Sequence, residues 1–380
     1  MKKRFYIGLL LALGILGLLS GCGRYSSDQT EINGRSEEEL KSRTAEETTM
    51  EEENGKESRD KNAVRVTPTS EITELETGLS MVRYEGEYGF DTFLEQGGAA
   101  SDADVAAYIT SLLAQEIQME GAPFGCSTLS VENQDGGYLF GRNFDWNACN
   151  GLIVSARPEK GCFSVSTVNM DFIHAGGLDI SQLPDSMQAF VSLYAPLDGM
   201  NEKGLAVSVN MIQDSVSINQ DTAKPDLTTT TAVRLLLDKA ADVEEALELL
   251  QQYDFHSSMG MMVHLALADA DGRSVAVEYV DNEMIVTETP VVTNFYLADG
   301  EKQGIGTAQS HTRYEILTQT LEERGAMTET EVRDALDSVS KDNFGEFEST
   351  EWSIVMNQEA KELIYYHREN YGAAYAVSVE

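Results

Sequence analysis

The stretch 125–146 constrains the fold more than any other part of the chain. Residues 127–132 alternate in a β-compatible way. Gln134, Asp135, Gly136 and Gly137 tolerate the positive φ of a tight turn, and residues 138–144 read as a return strand. Strands joined this way run antiparallel and bring the end of the second back beside the start of the first. Cys126 opens the first strand, and Arg142 and Asp145 close the second. The turn alone therefore sets a guanidinium and a carboxylate near a thiol.

That trio suggests nucleophilic chemistry. A thiol attacks as its thiolate, which a neighbouring guanidinium favours. Gly125 directly precedes the cysteine and offers an unhindered carbonyl for an N-to-S acyl shift. Were Cys126 the first residue of a mature chain, its own α-amine, with an ordinary pKa of about 7.7–8.0, would serve as general base. No histidine is then needed, which fits the absence of a papain-like cysteine signature. Each residue also has a structural reading. Cys126 suits a buried thiol or a disulfide partner, and Arg142 with Asp145 a salt bridge at a strand end.

Composition removes whole classes of function. The net charge of −37 and sequence pI near 4.3 repel phosphate backbones, so nucleic acid is not expected as a partner. The cysteines Cys22, Cys126, Cys149 and Cys162 form no CxxC pair, and no HExxH occurs, so neither metal nor cofactor has sequence support. Cys149 and Cys162 are open to two states, paired across a strand connection or reduced.

The start of the chain reads as an export signal. Met1, Lys2, Lys3 and Arg4 form a basic region, residues 5–19 an apolar one, and Leu19-Ser20-Gly21-Cys22 resembles a bacterial lipobox. That resemblance implies a signal peptide over 1–21 and a lipid on Cys22, which would anchor the exported protein to the outer face of the bacterial cell membrane. The alternative is an ordinary secretory signal with an incidental cysteine. Residues 22–67 are polar, carry runs of glutamate and read as a disordered tether. Residues 68–125 then form a pro-segment or small subunit, and 126–380 the catalytic domain.

Within the folded part, the patterns predict a strand over 79–84 and a helix over 102–119. One amphipathic helix is expected over 229–250, strands over 261–270, 273–280 and 284–291, and helices over 312–324 and 328–339. Strands over 352–356, 362–368 and 374–379 close the chain. This order fits two sheets between helical layers.

The spacing from Cys126 to Arg142 and Asp145, ending in Gly141-Arg142-Asn143-Phe144-Asp145, resembles the choloylglycine hydrolase and penicillin V acylase group of N-terminal-nucleophile hydrolases. Related acyltransferases cut an internal Gly-Cys bond autocatalytically. The segment from Asp198-Gly199-Met200-Asn201-Glu202-Lys203-Gly204-Leu205 to Asn210 matches in the same order, as do Val291-Val292-Thr293-Asn294 and Ser310-His311-Thr312-Arg313-Tyr314. The resemblance implies an α+β, four-layer αββα sandwich of two antiparallel sheets. It implies Cys126 as nucleophile, Arg142 beside the thiol, Asp145 holding the α-amine, Asn210 in the oxyanion hole, Asn294 as a second active-site amide and Arg313 as a second arginine. Asparagine amides suit that task because they donate hydrogen bonds without adding charge. At strand ends they equally serve turns. The substrate class implied is a small N-acyl compound with a linear amide bond. Two alternatives stand beside hydrolysis: acyl transfer by the same cysteine, and an inert lipid-anchored binding module. Met170, Phe172 and Ile173 suit either an acyl pocket or the core.

Overall fold

A computed structural model describes residues 63–113, 125–174, 180–341 and 349–380. The expected signal segment, Cys22, nearly all of the tether and the loop entering Gly125 lie outside the described residues.

Chain order is simple to follow. Before the cysteine come β1 (Ala63–Arg65), β2 (Thr73–Glu76), β3 (Leu79–Glu85), α1 (Phe90–Glu95) and α2 (Asp102–Leu113). Strand structure thus begins inside the stretch read as tether. The hairpin supplies β4 (Gly125–Glu132) and β5 (Tyr138–Trp146), and then β6 (Gly151–Arg157), β7 (Ser164–Asn169), α3 (Met170–His174) and α4 (Asp185–Ser192) follow. Next are β8 (Asp198–Asn201), β9 (Ala206–Met211), β10 (Asp226–Thr228), α5 (Thr229–Lys239), α6 (Val243–Leu250) and β11 (Asp254–His256). The sequence continues through β12 (Val263–Ala268), β13 (Ser274–Val280), β14 (Glu283–Glu288) and β15 (Val291–Val292). It ends with α7 (Ala308–Arg324), α8 (Glu329–Asp337), β16 (Ser349–Asn357), β17 (Glu362–His367) and β18 (Ala374–Ser378).

The architecture is α+β, with two large sheets. One has seven strands in the order β1-β18-β17-β16-β5-β4-β15, the other nine in the order β14-β13-β12-β9-β8-β7-β6-β3-β2. Helices α7 and α8 pack on the outer side of the first, and α4 and α5 on the second. This is the expected αββα layering, with one correction: the sheets are mixed. Strand β1 runs parallel to β18, and β3 parallel to β6. Both parallel pairings involve strands that precede Gly125, whereas the large-sheet pairs formed within 125–380 are antiparallel.

Hairpin register fixes the faces. Cys126 lies opposite Phe144, Thr128 opposite Arg142, and Gly125 opposite Asp145. Directly opposed residues share a face and successive residues alternate. Cys126, Thr128, Arg142 and Phe144 therefore point between the sheets, where Cys126 and Phe144 join one core with Val207, Val209 and Leu265. The other face carries Leu129 and Val131, packed on Val332 and Leu336 of α8. Gly136 and Gly137 take φ values of 102° and 72°, as the turn requires.

Two expected elements break. The helix over 229–250 is two helices, because Ala240 turns extended and Asp242 caps α6, its side chain accepting from the Glu245 amide at 2.9 Å. Apolar periodicity ran on across the break because both helices bury residues against the core. The strand over 284–291 ends at Glu288, since Pro290 has no N–H to continue the ladder. The Pro290 carbonyl instead accepts from Ser130, and Val291 pairs with Leu129 of the other sheet. This crossing delivers Asn294 to the start of β4. The helix over 102–119 is described as far as Leu113.

Candidate active site

Cys126 is fully buried at the start of β4. Its backbone N–H donates to Asn294 Oδ1 at 2.8 Å. Burial pushes the thiol up to about 11, while the Arg142 guanidinium on the same face pulls it down. In the unbroken chain the thiol is thus protonated at neutral pH and needs a base.

Arg142 is held from behind. Its Nε donates to Asp198 Oδ2 at 3.2 Å, and a second nitrogen donates to Asn210 Oδ1 at 3.2 Å. Trp352 Nε1 also donates to Asp198, at 3.0 Å. Arg142 and Asp198 are both fully buried, so each charge depends on the other. Asn210 sits near the end of β9, where its Oδ1 further accepts from Ser208 Oγ at 2.9 Å and its Nδ2 donates to the Val292 carbonyl at 3.3 Å. An amide nitrogen carries two donors, so one N–H remains beyond that bond.

Asn294, the second asparagine, faces the cysteine with its oxygen. Its Oδ1 accepts from Cys126 N and from Arg313 at 2.6 Å, and its Nδ2 donates to the Met211 carbonyl at 2.6 Å. Its geometry is that of a holder of the cysteine nitrogen. Arg313, on α7, donates to the Cys126 carbonyl at 3.1 Å, to Ser127 Oγ at 2.7 Å and to Asp145 Oδ2 at 2.7 Å.

Asp145 occupies the face opposite the thiol, across from Gly125. Thr350 Oγ1 donates to its Oδ1 at 2.7 Å, and Lys341 Nζ lies 3.8 Å from its Oδ2. A Cβ on Gly125 would sit 2.7 Å from Lys341 Nζ and 3.2 Å from Asp145 Oδ2. Asp145 and Lys341 thus flank the Gly125–Cys126 junction. Around Cys126 the structure gathers the other five candidate site residues, Asn210 by way of Arg142, with the thiol on one face of the sheet and the Asp145 carboxylate on the other.

Sequence reasoning missed Lys341 and Thr350, which no local motif marks. It also left Asp198 without a role, although Asp198 opens the segment that led to Asn210. Met170, Phe172 and Ile173 are buried, and Phe172 packs edge-on against Trp146 at 5.0 Å. Cys149 and Cys162 are both unpaired thiols. Among the described residues no group of three or more His, Cys, Asp or Glu could hold a metal ion.

Residues 126–295 match the family described as linear amide C-N hydrolases, choloylglycine hydrolase family. The match begins at Cys126 itself. Penicillin V acylase of Pectobacterium atrosepticum is 32% identical over 157 residues, 38% of this chain. The chain spans only 41% of the length of that relative. Two variants of conjugated bile acid hydrolase from Clostridium perfringens share the fold, with 19% identity and TM-scores of 0.51 and 0.50. Each comparison covers 67% of this chain and 92% of the other. The choloylglycine hydrolase domain match contains Cys126, Arg142, Asp145, Asn210 and Asn294, and Arg313 lies beyond it.

Proposed function

We propose that this protein is a cysteine amidohydrolase that cleaves a linear carbon–nitrogen amide bond in a small N-acyl compound. The observation that carries the reading is the convergence on Cys126 of Arg142, Asn294 and Arg313, with Asn210 bound to Arg142.

The reaction begins with processing. The Cys126 sulfur attacks the Gly125 carbonyl carbon, the C–N bond breaks as the thiol proton passes to the Cys126 nitrogen, and water hydrolyses the resulting thioester to a Gly125 carboxylate and the free thiol. The new α-amine lies where Asn294 Oδ1 already accepts from the Cys126 nitrogen. It takes the thiol proton as sulfur attacks the substrate carbonyl. The second N–H of Asn210 stabilises the oxyanion. The α-ammonium then protonates the leaving amine, and the α-amine activates water to release the acyl group. Arg142 favours the thiolate, and Asp145, braced by Arg313 and Thr350, orients the amine. Cys22 carries the lipid that holds the enzyme at the membrane.

The printed names of the relatives supply the first substrates to try. Purified protein is incubated with penicillin V and with a conjugated bile acid, and the released amine is measured. The reading expects turnover of an N-acyl compound of this kind by the native chain and none by Cys126→Ala. Turnover by Cys126→Ala at the native rate would remove Cys126 from the mechanism.

A further inference from the structure

We propose that His264 and Glu278 form a positioning pair that holds the Asn294 amide, and through it the Cys126 nitrogen, in place for catalysis. The inference rests on the cysteine-hydrolase reading above. His264 lies on β12 and Glu278 on the adjacent β13, and both side chains are fully buried.

The geometry assigns every polar atom a partner. His264 Nε2 lies 2.7 Å from the Thr293 carbonyl, and its Nδ1 lies 3.1 Å from Glu278 Oε1. Both neighbours are oxygens that accept, so each ring nitrogen is turned toward an acceptor. Glu278 accepts twice more, from the Leu297 amide at 2.9 Å and the Ala298 amide at 2.5 Å. Burial alone would raise its carboxyl, but the His264 ring and these two amides outweigh it and hold it below the ordinary range.

These contacts clamp both ends of residues 293–298, with Asn294 between them. Thr293 is fixed through its carbonyl by His264, and the chain beyond Phe295 is fixed through two amides by Glu278. From the other side, Ser310 Oγ accepts from the Asn294 backbone N–H at 2.6 Å. Asn294 then presents Oδ1 to Cys126. An apolar pair of similar size would grip neither a carbonyl nor two N–H groups. The imidazole is turned toward Thr293 and Glu278, so it acts through Asn294.

Glu278→Gln tests this directly. Both carboxylate oxygens accept, and glutamine must turn an NH2 toward a donor at one of them. The expected result is a kcat lower by at least about tenfold with KM within about threefold, on the best substrate found for the native enzyme. In an Asn294→Ala background the same change should cost less than about twofold, because its route is already gone. The double variant H264Q/E278Q leaves no lone buried charge, and the same cycle is run on it should Glu278→Gln fail to fold. A native kcat, or an equal loss with and without Asn294, would overturn the pair while Cys126→Ala stays inactive. An active Cys126→Ala would instead remove the reading beneath it.

Discussion

The chemistry at Cys126 is set by a balance of burial against charge. Burial raises the thiol to about 11, and Arg142 works against it. Arg142 keeps its place because Asp198 and Asn210 hold it. Most of this site was legible in short motifs: the hairpin gave Cys126, Arg142 and Asp145, and the family resemblance pointed to Asn210, Asn294 and Arg313. What was not legible is separated too far along the chain. Thr350 reaches Asp145 from 205 residues away, and His264 and Glu278 carry no local pattern that marks a pair. Asn294, expected only as a second active-site amide, accepts from the cysteine nitrogen. That leaves Asn210 as the amide with a spare donor. Asn210→Ala should lower kcat by about 10²–10³ with little change in KM, as loss of one oxyanion donor does. Steady-state kinetics checks this, and a change confined to KM would contradict it.

Among elements, two breaks do the positioning. Pro290 ends the β13–β14 meander and sends Val291 to the other sheet, so that Asn294 meets Cys126. Residues 284–291 looked like one strand because their composition is β-compatible throughout, and only the missing N–H of proline marks the crossing. The second break separates α5 from α6 at Ala240–Asp242. Apolar spacing predicted one helix, and the aspartate that starts the second was read as part of the first. Asp242 caps α6 through the Glu245 amide. Asp242→Ala should therefore cost about 1 kcal/mol of stability. Denaturant unfolding measures it, and an unchanged midpoint would show that the cap contributes nothing.

For the whole molecule, the αββα order followed from the alternation of strand and helix patterns. The parallel pairings did not, because strand direction across a sheet depends on partners that sequence spacing does not name. Those pairings have a consequence for processing. β1 joins the edge of one sheet and β2–β3 the edge of the other, and Tyr88, Phe90 and Phe93 form an aromatic cluster with Tyr194. Tyr88 also hydrogen-bonds Asp238, which pairs with Arg234. A cut at Gly125–Cys126 should therefore leave the two pieces bound. They are expected to co-elute in native size exclusion and separate in denaturant, whereas loss of the N-terminal piece under native conditions would contradict this. The most direct measurement is N-terminal sequencing of the active enzyme after a denaturing gel. The account predicts two fragments, the larger beginning at Cys126, and a single uncut band for Cys126→Ala. A fully active enzyme with an intact Gly125–Cys126 bond would contradict it.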